Sequence, residues 1–274
     1  MKKVLVMLLA LVMVLSFAAC AKDETPETPD DKAPVEDNKG TEDDKTTEDD
    51  KTTEDEVKVM TYAEYAAAAK DDAVVIEAYV QATQGWWDNK IVVYAQDADG
   101  AYFIYNMVCS EEDAAKLTKG TKIRVTGFKT EFNGEIEVAE GATFEFVEGA
   151  DTFVAEPKDV TALLGTEDLA KDMNKFVSFK GLTVAAKKAA DGSDVAFFYD
   201  WDGSGTQGKD LYFDVTDGTN TYSFTVESYL CGKDTDVYKA VEALKVGDKV
   251  DCEGFLYWYN GVNPHITSVT VVAE

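Results

Sequence analysis

The side chains best suited to recognition in this sequence are aromatic, and they gather in a few short runs. Gly85-Trp86-Trp87-Asp88-Asn89 is one, Trp201 stands in a Gly- and Asp-rich run, and Tyr257-Trp258-Tyr259-Asn260 is another, with Phe132-Asn133 as a smaller version of the last. Flat rings stack on sugars or bases, and adjacent Asn and Asp supply directional hydrogen bonds. The same rings could equally plug the end of a β-barrel. Catalytic chemistry has less to work with. His265 is the only histidine, and no Gly-x-Ser-x-Gly, His-Glu-x-x-His or paired Cys-x-x-Cys occurs. A nucleophilic triad or a zinc hydrolase therefore has no support. Acidic pairs are so frequent that none is marked out for a carboxylate-dependent hydrolase, and no catalytic residue is assigned. The run Asp200-Trp201-Asp202-Gly203-Ser204-Gly205 imitates the start of a calcium loop. Asp200, Asp202 and Asp210 are its candidate Ca2+ ligands, but Leu211 stands where a closing Glu belongs. No cofactor is otherwise required.

The elements that must carry these residues are read from an internal repeat. Ile123-Arg124-Val125-Thr126-Gly127-Phe128 precedes Phe132-Asn133-Gly134, and Val250-Asp251-Cys252-Glu253-Gly254-Phe255 precedes Tyr259-Asn260-Gly261. The spacing is the same: Gly-Phe, three residues, an aromatic, Asn-Gly. Upstream in each half, Asp99-Gly100 and Asp217-Gly218 separate alternating apolar runs, a strong hairpin signal. Each half then reads in one order. A helical stretch (Thr61–Lys70; Val160–Met173) leads into a first strand (Val74–Ala82; Phe176–Val184). A hairpin, a short helix (Ser110–Leu117; Asp236–Leu244) and two further strands follow.

Three strands, a helix and two strands is an order that resembles the OB-fold, a five-stranded Greek-key barrel. The halves look similar to the OB-fold modules of exported bacterial surface proteins, some of which accompany secreted nucleases or phosphoesterases. The resemblance implies an all-β protein with short helices, built as two tandem five-stranded barrels over residues 58–156 and 157–274. It also implies that ligands meet the loops after strands one and four. Those loops hold Trp86, Trp87, Phe132, Asn133, Trp201, Tyr257, Trp258, Tyr259 and Asn260, densest in the second module, where the ligand site is expected.

The remaining 57 residues read as an export and spacing device. Lys2-Lys3, an apolar run from Val4 to Leu15 and small residues up to Cys20 have the layout of a secretory signal. Phe17-Ala18-Ala19-Cys20 resembles the lipobox of bacterial lipoproteins, although Phe17 replaces the usual Leu. The resemblance implies a diacylglyceryl thioether on Cys20 and anchoring on the outer face of the cytoplasmic membrane, through the lipid alone. Residues 21–57 repeat Thr-Glu-Asp-Asp-Lys-Thr and carry 5 basic against 16 acidic groups. Such a segment cannot bury enough surface to fold, and as a flexible tether it would reach about 35 Å.

Net charge is −27, and both modules are acidic on their own, with 8 basic and 18 acidic groups in 58–156 and 11 and 19 in 157–274. Nucleic-acid binding leaves a basic footprint because affinity comes largely from counterion release. Lys187-Lys188 is the only basic pair near a candidate loop. The expected partner is thus an extracellular glycan or protein, with an extracellular oligonucleotide as the alternative. Three cysteines remain besides Cys20. Cys252 alternates with Val250 and should point inward, and a Cys231–Cys252 disulfide is open to an exported chain.

Overall fold

A computed structural model describes residues 58–272, so the readings at Cys20 and across the tether lie outside the described residues. The first six strands are β1 (Ala73–Thr83), β2 (Lys90–Gln96), β3 (Ala101–Val108), β4 (Lys122–Phe132), β5 (Glu135–Val138) and β6 (Thr143–Phe146). They run in the order β1-β2-β3-β5-β4, and β4 pairs back onto β1 to close a barrel, with β6 appended to β4. The second set is β7 (Lys158–Asp159), β8 (Phe176–Ala185), β9 (Lys187–Lys188), β10 (Asp194–Val195), β11 (Phe197–Tyr199), β12 (Leu211–Thr216), β13 (Thr221–Val226), β14 (Lys249–Phe255) and β15 (His265–Val271). Here the order β12-β13-β15-β14-β8 closes through β12–β8. In both barrels the third and fifth strands run parallel, as the Greek key requires (Phe103↔Glu137 and Thr225↔His265). The architecture is the OB-fold, twice.

The short helices sit where capping residues put them. Thr61 and Glu64 form a capping box at the start of α1 (Tyr62–Ala67), Ser110 caps α2 (Glu111–Ala114), and Thr235 caps α3 (Asp236–Glu242). The helical stretch expected over Val160–Met173 is two 3₁₀ turns instead, Thr161–Leu163 and Glu167–Asp172. Gly165, at φ +76°, separates them and prevents one continuous helix.

The Gly-Phe repeat has a steric cause. A Cβ on Gly127 would stand 2.8 Å from Ala142 Cβ and 2.9 Å from Val138 Cγ1, and one on Gly254 would stand 2.2 Å from the His265 carbonyl oxygen. In each barrel the fifth strand or its exit crosses the fourth at this point, and only glycine leaves room. Each barrel is filled by its own apolar cluster, with Ile76, Ile104 and Val125 in the first and Phe179, Phe213 and Phe224 in the second. Cys109, Cys231 and Cys252 are buried free thiols, so the Cys231–Cys252 bridge is absent, and Cys252 faces the core as expected. Burial raises all three thiols, Cys252 to about 12, and keeps them protonated.

A third apolar cluster joins the barrels, which belong to one compact unit. Val92, Tyr94 and Phe103 from the outer face of the first barrel meet Phe255 of the second, flanked by Phe176, Leu230 and Tyr257. β2 is therefore buried on both faces, Ile91, Val93 and Ala95 inward and Val92 and Tyr94 against the other barrel.

Candidate ligand-binding cleft

The polar seam of this junction holds the site in place. Gln84 Nε2 donates to the Tyr94 hydroxyl at 3.1 Å, and that hydroxyl lies 2.6 Å from His265 Nδ1. With its oxygen accepting from Gln84, Tyr94 donates to Nδ1, which leaves the imidazole proton on Nε2. Burial drives the pKa of His265 down to about 3, so the ring is neutral. It stacks on Tyr257 at 4.2 Å, and Tyr257 meets Phe103 edge-on at 5.1 Å. Further along, Glu135 Oε2 accepts from the Trp258 amide at 2.7 Å, and the Asn260 amide donates to the Asn133 carbonyl at 2.7 Å. The two Asn-Gly turns of the repeat thus touch each other.

Beside this seam a cleft of about 650 Å³ opens between the barrels, within the range of small-ligand sites. The first barrel contributes Phe103 and Tyr105 from β3, Phe132 from the end of β4 and Glu137 from β5. The second contributes Tyr212 from β12, Thr225 from β13, Glu227 just beyond it, and Tyr257, Tyr259 and Asn263 from the loop before β15. Trp201 and Asp210 complete the wall. Apart from Phe132 and Glu137, on the fourth and fifth strands of the first barrel, these are mainly second and third strands and flanking loops, the surfaces OB-folds use for oligosaccharides and oligonucleotides. Among the described residues the lining holds seven Phe, Tyr and Trp rings and three carboxylates, and no Lys or Arg.

The carboxylates are not ordinary surface groups. Burial lifts Glu137 to about 7, and burial together with the nearby Asp210 charge lifts Glu227 to about 7. Glu135, directly behind the wall, is raised by burial to about 8 despite its bond from Trp258. Its Oε1 is buried, with no hydrogen-bond partner among the described residues.

The structure separates the candidates read from the sequence. Phe132, Trp201, Tyr257 and Tyr259 line the cleft. Trp86 packs against the first core and donates its indole N–H to the Cys109 carbonyl at 2.9 Å, which makes it a barrel plug. Trp258 packs against the second core. Trp87 is 72% exposed but away from the cleft. Asn133 and Asn260, at φ +50° and +54°, shape their turns. The concentration of aromatics on the second module's loops reflects half of a site whose other half is β3 and β5 of the first. Asp202 Oδ1 accepts from the Ser204 amide and Asp210 Oδ1 from the Ser228 amide. Among the described residues no group of three His, Cys, Asp or Glu could hold a metal, so Asp200, Asp202 and Asp210 do not converge as a calcium loop.

Sequence reading missed Tyr105, Tyr212, Phe103, Glu137 and Glu227. A signal was present: Phe103 and Tyr105 alternate with inward Tyr102 and Ile104, and Tyr212 stands between inward Leu211 and Phe213, placing rings on the outer faces of barrel strands.

No protein-family model matches the chain, and no curated protein matches it. Among solved structures it is similar to the p204 HINb domain, at TM-score 0.33 and 12% identity over 75% of this chain and 100% of that one. It is also similar to a murine DNA-binding protein bound to double-stranded DNA, at TM-score 0.33 and 11% identity over 73% and 97%. A replication protein A heterotrimer bound to single-stranded DNA gives TM-score 0.30 and 11% identity over 76% of this chain and 51% of that one. These likenesses concern the fold and assign no ligand.

Proposed function

We propose that this chain is a lipid-anchored surface protein whose paired OB-folds bind an extracellular carbohydrate in the cleft between them, without catalysing a reaction. The observation that carries the reading is the lining: aromatic rings from both barrels around a concave space, with acidic and neutral polar groups and no basic one. Rings of this kind stack on the apolar faces of sugars, and Thr225 and Asn263 supply polar contacts. A concave cavity of this size fits a short glycan better than the broad surface of a protein partner.

An oligonucleotide is the second reading. The same rings would stack on bases as readily as on sugars. Charge opposes it. Lys187 pairs with Asp214 at 2.8 Å and Lys188 with Asp194 at 2.6 Å, so the one basic pair near a loop is already neutralised. A phosphate backbone would meet Glu137, Asp210 and Glu227 instead of the Lys and Arg side chains that release its counterions. Screening the full chain on a glycan array, alongside titration of a fluorescent single-stranded oligonucleotide at several salt concentrations, separates the two. Glycan capture with no salt-dependent oligonucleotide binding is expected, and the opposite pattern overturns the carbohydrate reading.

A further inference from the structure

Resting on the carbohydrate reading, we propose that the cleft selects a glycan carrying free ammonium groups, an oligosaccharide of the glucosamine type. A neutral sugar requires stacking surface and hydrogen-bonding groups but no net charge in its site. This cleft supplies charge of one sign. Glu137, Asp210 and Glu227 line it without a Lys or Arg among them. The aromatic faces add to the same field, because ring quadrupoles attract cations and repel anions. The surroundings extend it outward, since both modules are acidic and a negative protein concentrates cations at such a cleft.

Glu137 shows that this is more than an acidic surface. It is 6% exposed, it lines the cleft, and among the described residues no donor or cation reaches its carboxyl group. Leaving a buried carboxyl group unpaired is costly, and an arriving ammonium would satisfy it. Asp210 and Glu227 each have one oxygen held by a backbone amide, of Ser228 and Tyr229 respectively, which fixes their position and leaves the other oxygen to a ligand. The other titratable groups on the wall are four tyrosine hydroxyls and neutral His265, with Glu135 behind them. None of these brings a positive charge that would compete. Because burial keeps Glu137 and Glu227 protonated up to about pH 7, a bound ammonium makes them ionise, and at about pH 6, where the sugar amines already carry their protons, binding releases protons.

The test is calorimetric titration of the full chain with a glucosamine tetramer, its fully N-acetylated form and tetramethylammonium. The glucosamine tetramer is expected to bind about 10-fold tighter than the acetylated one in low salt, with the advantage shrinking as salt is raised. Its heat should differ between buffers of different ionisation enthalpy, reporting proton release. Glu137→Gln and Glu227→Gln, each checked by its melt to be folded, should remove the advantage and the proton release, and an advantage that survives in both variants overturns the inference. Equal affinity for the two tetramers overturns this inference and leaves the carbohydrate reading standing. Binding of neither overturns both. Tetramethylammonium binding as tightly as the glucosamine tetramer also overturns it, because the sugar frame would then contribute nothing.

Discussion

The loops after the first strand of the two barrels carry the same kind of sequence and do different jobs. In the first barrel the loop is short, and Trp86 turns back into its own core to hydrogen-bond the Cys109 carbonyl. In the second, Phe197–Tyr199 adds a strand against β12 before the chain returns through Asp200–Asp210, and Trp201 stands 72% exposed at the cleft. An aromatic ring in a barrel-end loop is thus either a plug or a platform. Loop length and an unmet hydrogen-bond donor decide which. A short loop cannot carry Trp86 away from the barrel end, and its indole N–H finds a carbonyl there.

The largest effect expected from breaking this comparison lies where the barrels meet. Tyr94→Ala removes a fully buried ring that stacks on Phe255 and bonds His265, and it should cost ~3–5 kcal/mol. Calorimetry should show the wild-type chain melting in one transition and the variant in two, as the barrels uncouple. A single unshifted transition would mean that the junction contributes little. Tyr94→Phe isolates the polar part. It leaves the buried His265 Nδ1 without its donor and should cost about 1–3 kcal/mol.

The plug and the platform come next. Trp86→Ala should destabilise the chain by about 2–3 kcal/mol, whereas Trp201→Ala should stay within about 0.5 kcal/mol in the same denaturant melt. Equal losses would erase the distinction between them.

Glu135 gives the junction a pH dependence of definite sign. Its carboxyl group holds a proton up to about 8 in the folded chain against an ordinary value of 4.5. Between those values the folded state binds a proton that the unfolded state has released. Stability is therefore full below about pH 4.5 and falls as pH rises towards 8, by an amount on the order of a few kcal/mol for a group this buried. Glu135→Gln should make that part of the stability–pH curve shallower, leaving the share that Glu137 and Glu227 contribute below about pH 7, and exceed wild type above pH 8. An unchanged curve would remove Glu135 from the account.

At the N-terminus, labelled palmitate should enter the wild-type chain and not Cys20→Ser, and incorporation surviving the substitution would end the lipoprotein reading.

Much of the fold was legible because the backbone imposes it locally. Asn-Gly demands a tight turn, Gly127 and Gly254 stand where strands cross, and Ser110 and Thr235 cap helices that begin right after them. The site was legible only in part. Phe132 and Tyr259 marked their loops, but their rings lie 6.0 Å apart across the two barrels, a pairing no local pattern encodes. The continuous apolar run Ile91-Val92-Val93-Tyr94-Ala95 reports a strand buried on both sides without saying what covers it. Glu137 and Glu227 were hidden among the 53 acids of the chain, since burial and not sequence context distinguishes them, and Asp210 stood out only as part of a calcium-like run.

Trp87 and Trp201 offer the most direct test of the cleft as the binding site. Both indoles are 72% exposed, both sit in a loop after a first strand, and only Trp201 lines the cleft. Affinity for a glycan captured on the array should be measured for Trp87→Ala and Trp201→Ala, with melting temperatures alongside. Wild-type affinity is expected for Trp87→Ala and about 10-fold weaker binding for Trp201→Ala, with both variants folded. Equal affinity of the two variants, or a loss confined to Trp87→Ala, would contradict the cleft as the binding site.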